Sequence, residues 1–347
     1  MPEIASIPIT QVAATNLPDA VDADEANETD EVAAPADEAA AKTDVAASPE
    51  ASAIRPYMMF RSTALGETYG RVSLAYLDAL NEPRNVTPLS CDRVYFAVDH
   101  GICLAAKRGI LTTYGASIFD QEFNILYTFP LAGIPSRARL SPDGRLAAMT
   151  VFVSGHSYAG GDFSTRTSVV DTVTGQIVIE DLEKLKVTRD GAPFKGKDFN
   201  FWGITFTRDG KEFYATLATG GRFFMVKADL QTFDARIVHD DVECPSLSPD
   251  NKRVAFKRRV ALGDGFGRFI WKIYVLDLET GEETEMSAET RNVDDQVEWL
   301  DNDHIIYALP DDEVNATAAT NTWVIARDGS GAPSLLMPFA FSPAIVR

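Results

Sequence analysis

One stretch of this 347-residue chain brings Ser, His and Asp together: Ser154-Gly155-His156-Ser157, then Tyr158 and Asp162. A hydroxyl, an imidazole and a carboxylate are the parts of an acyl-transfer triad. Triads are assembled in space, however, and G-x-S-x-G and H-E-x-x-H are both missing from the chain, so no catalytic residue is assigned. The four histidines (His100, His156, His239, His304) stand apart, and Cys91, Cys103 and Cys244 form no C-x-x-C pair, so no zinc site is expected. Asp294-Asp295 offers two adjacent carboxylates of the kind Ca²⁺ accepts, without the D-x-D-x-D-G loop that would complete a site. The expectation is no cofactor and no metal, with Ca²⁺ in a central channel as the alternative. Gly263-Asp264-Gly265-Phe266-Gly267 lacks the G-K-[ST] ending of a phosphate loop and reads as a turn.

The elements that must position these residues are strands. Leu140-Ser141-Pro142-Asp143-Gly144-Arg145-Leu146 reads as a strand end, a tight turn and a second strand, with Pro presetting φ and Asp and Gly tolerating the bends. The pattern returns at Phe206–Tyr214, with Asp209-Gly210, at Leu247–Phe256, with Ser248-Pro249-Asp250-Asn251, and in degenerate form at Trp299–Tyr307. A second landmark, an apolar strand ending in Asp before a turn, recurs at Asp78, Asp120, Asp171, Asp229, Asp277 and Asp328, separated by 42 to 58 residues. Such aspartates serve turn geometry, since their side chains bond the backbone two residues on. Four antiparallel strands at that period make a β-propeller blade. Counting blades predicts an all-β fold with six, the ring closed by Phe339–Val346 completing the first blade so that no edge is left bare.

Composition sets the boundaries. Residues 1–50 carry twelve acidic side chains against Lys42 alone, so most of the net charge of −19 sits there. A segment so acidic and so poor in aromatics cannot offset its ordering entropy, and 1–54 is expected to be a disordered tail or stalk ahead of a propeller at 55–347. The chain has no basic cluster, which excludes nucleic acid as a partner. No apolar run reaches the roughly 18–20 residues of a membrane span, and the start lacks the basic and apolar regions of a signal peptide. Cys91 and Cys103 flank one predicted strand and are either bridged or two small core thiols.

In a propeller the inner strand of each blade lines the channel. Reading back from each hairpin, Leu140, Phe206, Leu247 and Trp299 should pack between blades. Arg137, Arg139, Thr205, Ser246, Gln296 and Glu298 alternate with them and should face the channel. The candidate binding residues at the entry mouth are Arg137, Arg139, Trp202, Cys244, Asp294, Asp295, Gln296 and Glu298. A second candidate set lies on the long loop: His156, Tyr158, Asp162 and Arg166. Residues 183–200 lengthen a connection between blades.

The S-P-D-G hairpin with its strand-Asp-x-x-T-G turn (Asp171–Gly175, Asp277–Gly281) resembles the repeat of TolB-like six-bladed propellers. Leu131–Arg139, Asn200-Phe201-Trp202-Gly203, Tyr214–Gly221, Val242–Pro249 and Arg291–Val297 resemble, more narrowly, actinobacterial TolB-like translocation proteins. The resemblance covers roughly 55–347. It implies an exported or membrane-anchored propeller at the cell envelope, with no catalytic residue to carry over; the expectation is a monomer that binds a protein or peptide. Members generally begin with a signal or anchor helix; this sequence does not, so an anchor outside it, or a cytoplasmic location, are the two ways to reconcile them. The alternative function is a propeller enzyme of lactonase or cyclase type with a polar or metal-bearing site at the channel mouth.

Overall fold

In the computed structural model, residues 55–153, 164–263, 267–311 and 319–347 are described, together with a two-residue strand at Val12–Ala13. The tail expected over 1–54 therefore lies almost wholly outside the described residues, as do His156, Tyr158 and Asp162. The rest is six sheets in a ring, antiparallel but for one parallel pair at the outer edge of blade 4. Blade 2 runs Arg93–Ala97, His100–Lys107, Thr113–Asp120, Ile125–Leu131; blade 3 runs Ile134–Leu140, Leu146–Val153, Ser164–Asp171, Ile177–Ile179. The inner strands of blades 4, 5 and 6 are Asn200–Phe206, Glu243–Leu247 and Glu298–Trp299. Blade 1 is composite: Ala340–Val346 is its inner strand and pairs with Tyr57–Ser62, Tyr57 opposite Val346 and Ser62 opposite Ala340. The last strand closes the first blade, as expected.

The repeated aspartates are turn builders. Asp143 Oδ1 accepts from Arg145 N (3.1 Å), and Ser141 Oγ accepts from Leu146 N (2.9 Å) across a turn whose Gly144 has φ +72°. Ser248, Asp250 and Asn251 (φ +61°) repeat the arrangement, with Arg253 N donating to Ser248 Oγ at 2.9 Å. Each later hairpin also clips its neighbour: Asn251 Oδ1 accepts from Arg208 N (3.2 Å) and Asn302 Oδ1 from Asp250 N (3.1 Å). The outer turns work alike, Asp171 Oδ1 taking Val173 N (3.0 Å) and Thr174 N (2.8 Å). Between the blades, Leu140, Phe206, Leu247 and Trp299 are buried at the predicted positions, each in the apolar layer joining one blade to its neighbour. Burying such a side chain is worth about 1.5–3 kcal/mol, and the layers run round the whole ring.

Two features go beyond the sequence reading. Residues read as a lengthened connection contain Lys186–Arg189, which pairs parallel to the outer strand Asp234–Asp240 of blade 4, and Ala192–Pro193, which pairs with it in turn. Val187 anchors this addition in the apolar cluster, and the addition covers backbone groups that an outer edge would leave unpaired. Cys91 and Cys103 form a disulfide, Cα to Cα 5.4 Å, tying the entry of blade 2 to its second strand; Cys244 is a free, buried thiol.

Candidate functional site

Four of the six inner strands are kinked, and the kinks decide what the channel contains. Register shifts fall opposite Ser136 in blade 3, between Trp202 and Thr205 in blade 4, between Glu243 and Ser246 in blade 5, and in the closing strand of blade 1. Three of these bulges carry left-handed backbone, at Gly203 (φ +66°), Cys244 (+51°) and Ser342 (+54°). A bulge leaves a residue unpaired and re-aims its neighbours' backbone groups. Here Gln296 crosses from blade 6 and donates through Nε2 to the carbonyls that follow two bulges, Ile204 O (3.1 Å) and Pro245 O (2.9 Å). Glycine is required at 203, where a Cβ would stand 2.7 Å from Cys244 Cα.

Arg139 spans the channel from blade 3. Its guanidinium pairs with Glu298 of blade 6 and donates to Tyr95 Oη of blade 2 (3.1 Å), to Ser246 Oγ of blade 5 (3.4 Å) and to Val297 O (3.1 Å). Next to this layer, toward the entry mouth, Asp295 accepts from Arg93 Nη1 at 3.0 Å and from its own neighbour's amide, Gln296 N, at 2.9 Å. Arg137 Nη1 stands 3.5 Å from the same carboxylate. Burial alone would neutralise Asp295, but Arg93 and Arg137 outweigh it and hold its carboxyl below the usual range. Burial likewise opposes the charge on Arg139, and Glu298 more than restores it. Burial, then Glu298, push the Tyr95 hydroxyl up. Arg93 is the exception: burial, aided by Arg137, holds its guanidinium below the ordinary value despite Asp295.

At the entry rim, Lys257 pairs with the half-exposed Asp294 and lies 4.4 Å from the centre of the Trp271 ring. Glu243, fully buried, accepts from Arg259 Nε (2.8 Å) and Trp271 Nε1 (3.0 Å), while Arg259 stacks on Phe223 at 4.1 Å. Trp202 meets Phe223 edge-on at 6.1 Å and forms wall rather than floor. Arg166 faces Asp181 (3.5 Å) at the outer side of blade 3, away from the channel. Cys244 is buried at its bulge, with its sulfur against Arg137.

The geometry redirects two expectations. Asp294 and Asp295 are neighbours in sequence but serve different cations, Lys257 for one and Arg93 with Arg137 for the other. A Ca²⁺ ion between them would face these positive charges, so the donor set does not fit a hard cation. Among the described residues no group of three or more His, Cys, Asp or Glu is placed to hold a metal. The sequence also directed attention to the entry mouth, away from the hairpins. Side chains fill that end of the channel, and a cavity of about 490 Å³ opens among the hairpin turns instead. Its floor is Tyr95, Arg139, Thr205 and Glu298, and its rim includes Arg208, Asn251 and Asn302.

Sequence reasoning missed Arg93 and Tyr95, which take the channel positions of blade 2, and Lys257 and Arg259; Glu243 it placed at the mouth without a partner. The blade 2 pair was within reach: Tyr95 precedes Asp99-His100-Gly101 as Arg139 precedes Asp143-Gly144. Lys257 and Arg259 lie on a second strand, Arg253–Ala261, and nothing in its alternation marks them as facing the mouth.

No family profile matches the chain, and no curated protein does. Solved structures do. TolB from Acinetobacter baumannii matches 84% of this chain and 66% of its own, with 16% identity and a TM-score of 0.55; the match thus spans just under two thirds of that protein. A chain of a nidogen/laminin complex matches over 84% at 12% identity and a TM-score of 0.49. A puromycin-hydrolyzing peptidase of Mycobacterium tuberculosis matches over 82% at 13% identity, a TM-score of 0.47, and 45% of its length. The chain is a six-bladed β-propeller with distant structural similarity to TolB, at a sequence distance that carries the fold alone.

Proposed function

We propose that this chain is a non-catalytic propeller that works outside the cytoplasm and binds a protein or peptide segment at a mouth of its channel. The observation that carries the reading is how the channel's reactive groups are spent. Arg139, Glu298, Arg93, Arg137 and Asp295 neutralise one another across the ring, and Gln296 caps backbone carbonyls. A general base or nucleophile needs a proton or substrate atom within hydrogen-bond reach and a group left free to act on it. These carboxylates are committed to arginines.

The hairpin-side vestibule is the surface that suits a partner. It joins a polar, preorganised floor to apolar walls from Leu140, Phe206 and Trp299, which is the make-up of a binding pocket. The Cys91–Cys103 bridge supports an oxidising compartment. The test is a displayed random-peptide library panned on the chain and on Asn251→Trp, which fills the vestibule rim. A peptide motif enriched on the parent and lost on the variant is expected. Turnover of a lactone or peptide panel that is abolished by Glu298→Gln would overturn the reading in favour of an enzyme.

A further inference from the structure

We propose that the channel holds a buried monatomic anion, a halide such as chloride, between the Arg139 layer and the entry mouth. The place is a cavity of about 20 Å³ lined by Arg93, Arg137, Arg139, Asp295, Glu298 and Ser342, among others. A cavity of that size admits roughly one water or one small ion, and no polyatomic ligand.

Charge argues for the ion. Three guanidiniums and two carboxylates line the cavity, and the nearest further charges, Lys257 and Asp294, cancel as a pair. One positive charge is therefore left without a counterpart, in a place where an uncompensated charge is costly. The surplus is local. Arg139 has Glu298 to itself, whereas Arg93 and Arg137 share the single carboxylate of Asp295.

Hydrogen bonding points the same way. Arg137 Nε and Arg139 Nε are both buried and donate to nothing in the protein, though buried donors are nearly always paired. Both residues line this cavity, and Arg139 is 6% exposed overall. An anion accepting from two guanidinium donors would satisfy orphaned N–H groups and cancel the surplus charge together. A water molecule would do only the first.

The experiment uses the intact, disulfide-bonded chain. Its melting temperature is measured as sodium chloride replaces sodium gluconate at constant ionic strength, and the ³⁵Cl line width is measured with bromide as competitor. A bound halide should raise Tm by about 2–3 °C per tenfold chloride above its Kd. It should also broaden the ³⁵Cl line in a way that bromide reverses. Arg137→Gln, which removes the surplus charge, should abolish both effects. If that variant does not fold, the parent's ³⁵Cl line and an anomalous bromide peak in the channel of parent crystals still decide. Equal stability in chloride and gluconate would overturn the proposal, as would an unchanged chloride slope in Arg137→Gln.

Discussion

Replacing Glu298 by Gln removes one charge from the centre of the ring at nearly constant volume. One carboxylate oxygen accepts from Arg139 and the other from Trp299 N, at 2.7 Å, so the single amide oxygen keeps one of these bonds and the NH₂ faces the other donor. What is lost is the only carboxylate paired with Arg139, whose side chain is 8% exposed against 11% for its partner. Removing one member of a buried pair costs about 3–5 kcal/mol because the other charge remains. In a propeller of this size, with an unfolding entropy of about 2.1 cal/mol/K per residue, that is about 5–8 °C of Tm. Exchanging both members, Arg139→Met with Glu298→Leu, removes the stranded charge, and most of the loss should return. Differential scanning fluorimetry and urea unfolding of the two singles and the double, closed as a cycle, measure the coupling. A shift under about 2 °C for Glu298→Gln, or a double no better than the sum of its singles, would refute the cross-channel account. Glu298→Gln should also steepen the chloride dependence of Tm, since it leaves two unmatched positive charges in place of one.

Three further outcomes follow from the geometry. Reducing Cys91–Cys103, which closes a short loop across a separation of 12 residues, should lower stability by about 3 kcal/mol in thiol-containing urea titrations, and Cys91→Ser with Cys103→Ser should match it. Gly144→Ala places a Cβ 2.5 Å from the Ala97 carbonyl at φ +72° and should cost about 2–4 kcal/mol, whereas Gly221→Ala has the same φ in open space and should cost about 1 kcal/mol. Asp171, Asp250, Asp277 and Asp295 all titrate below the ordinary carboxylate value once folded, so the stability they contribute is present above about pH 4 and lost as pH falls through their folded values. Glu183, which burial pushes up to about 7, works the other way and adds stability as pH falls toward 5. A Tm that holds or rises slightly from pH 7 to 5 and drops steeply below 4 is expected; a decline beginning at pH 6 would contradict it.

The fold was legible because its signals are local. A Ser-Pro-Asp-Gly turn needs its own residues and nothing else, and six strand-ending aspartates announce six outer turns wherever the chain goes. The apolar residue before each hairpin was equally readable, since alternation in a strand fixes which side faces a neighbouring blade. The channel chemistry is different in kind. Arg137, Arg139, Gln296 and Glu298 could be placed on the channel side by the same alternation, but their partners could not. Which arginine meets which carboxylate depends on bulges such as those at Gly203 and Cys244, where the period of two slips and residues far apart in sequence come level. Asp294 and Asp295 show the limit: adjacent letters that suggested one cation site turn to separate partners.

The composite first blade bears on how the molecule is made. Tyr57–Ser62 is among the earliest of the propeller strands to leave the ribosome, and its inner neighbour, Ala340–Val346, is among the last. Until that neighbour arrives, Met58, Met59 and Phe60, all fully enclosed in the finished ring, lie along an open edge. Contacts between segments so distant in sequence close slowly, because the intervening loop must be ordered before they repay it. The nascent chain is therefore held short of its final shape until synthesis of residues 340–346. During that interval, a holding chaperone or a threading pore would find a chain still loose enough to handle.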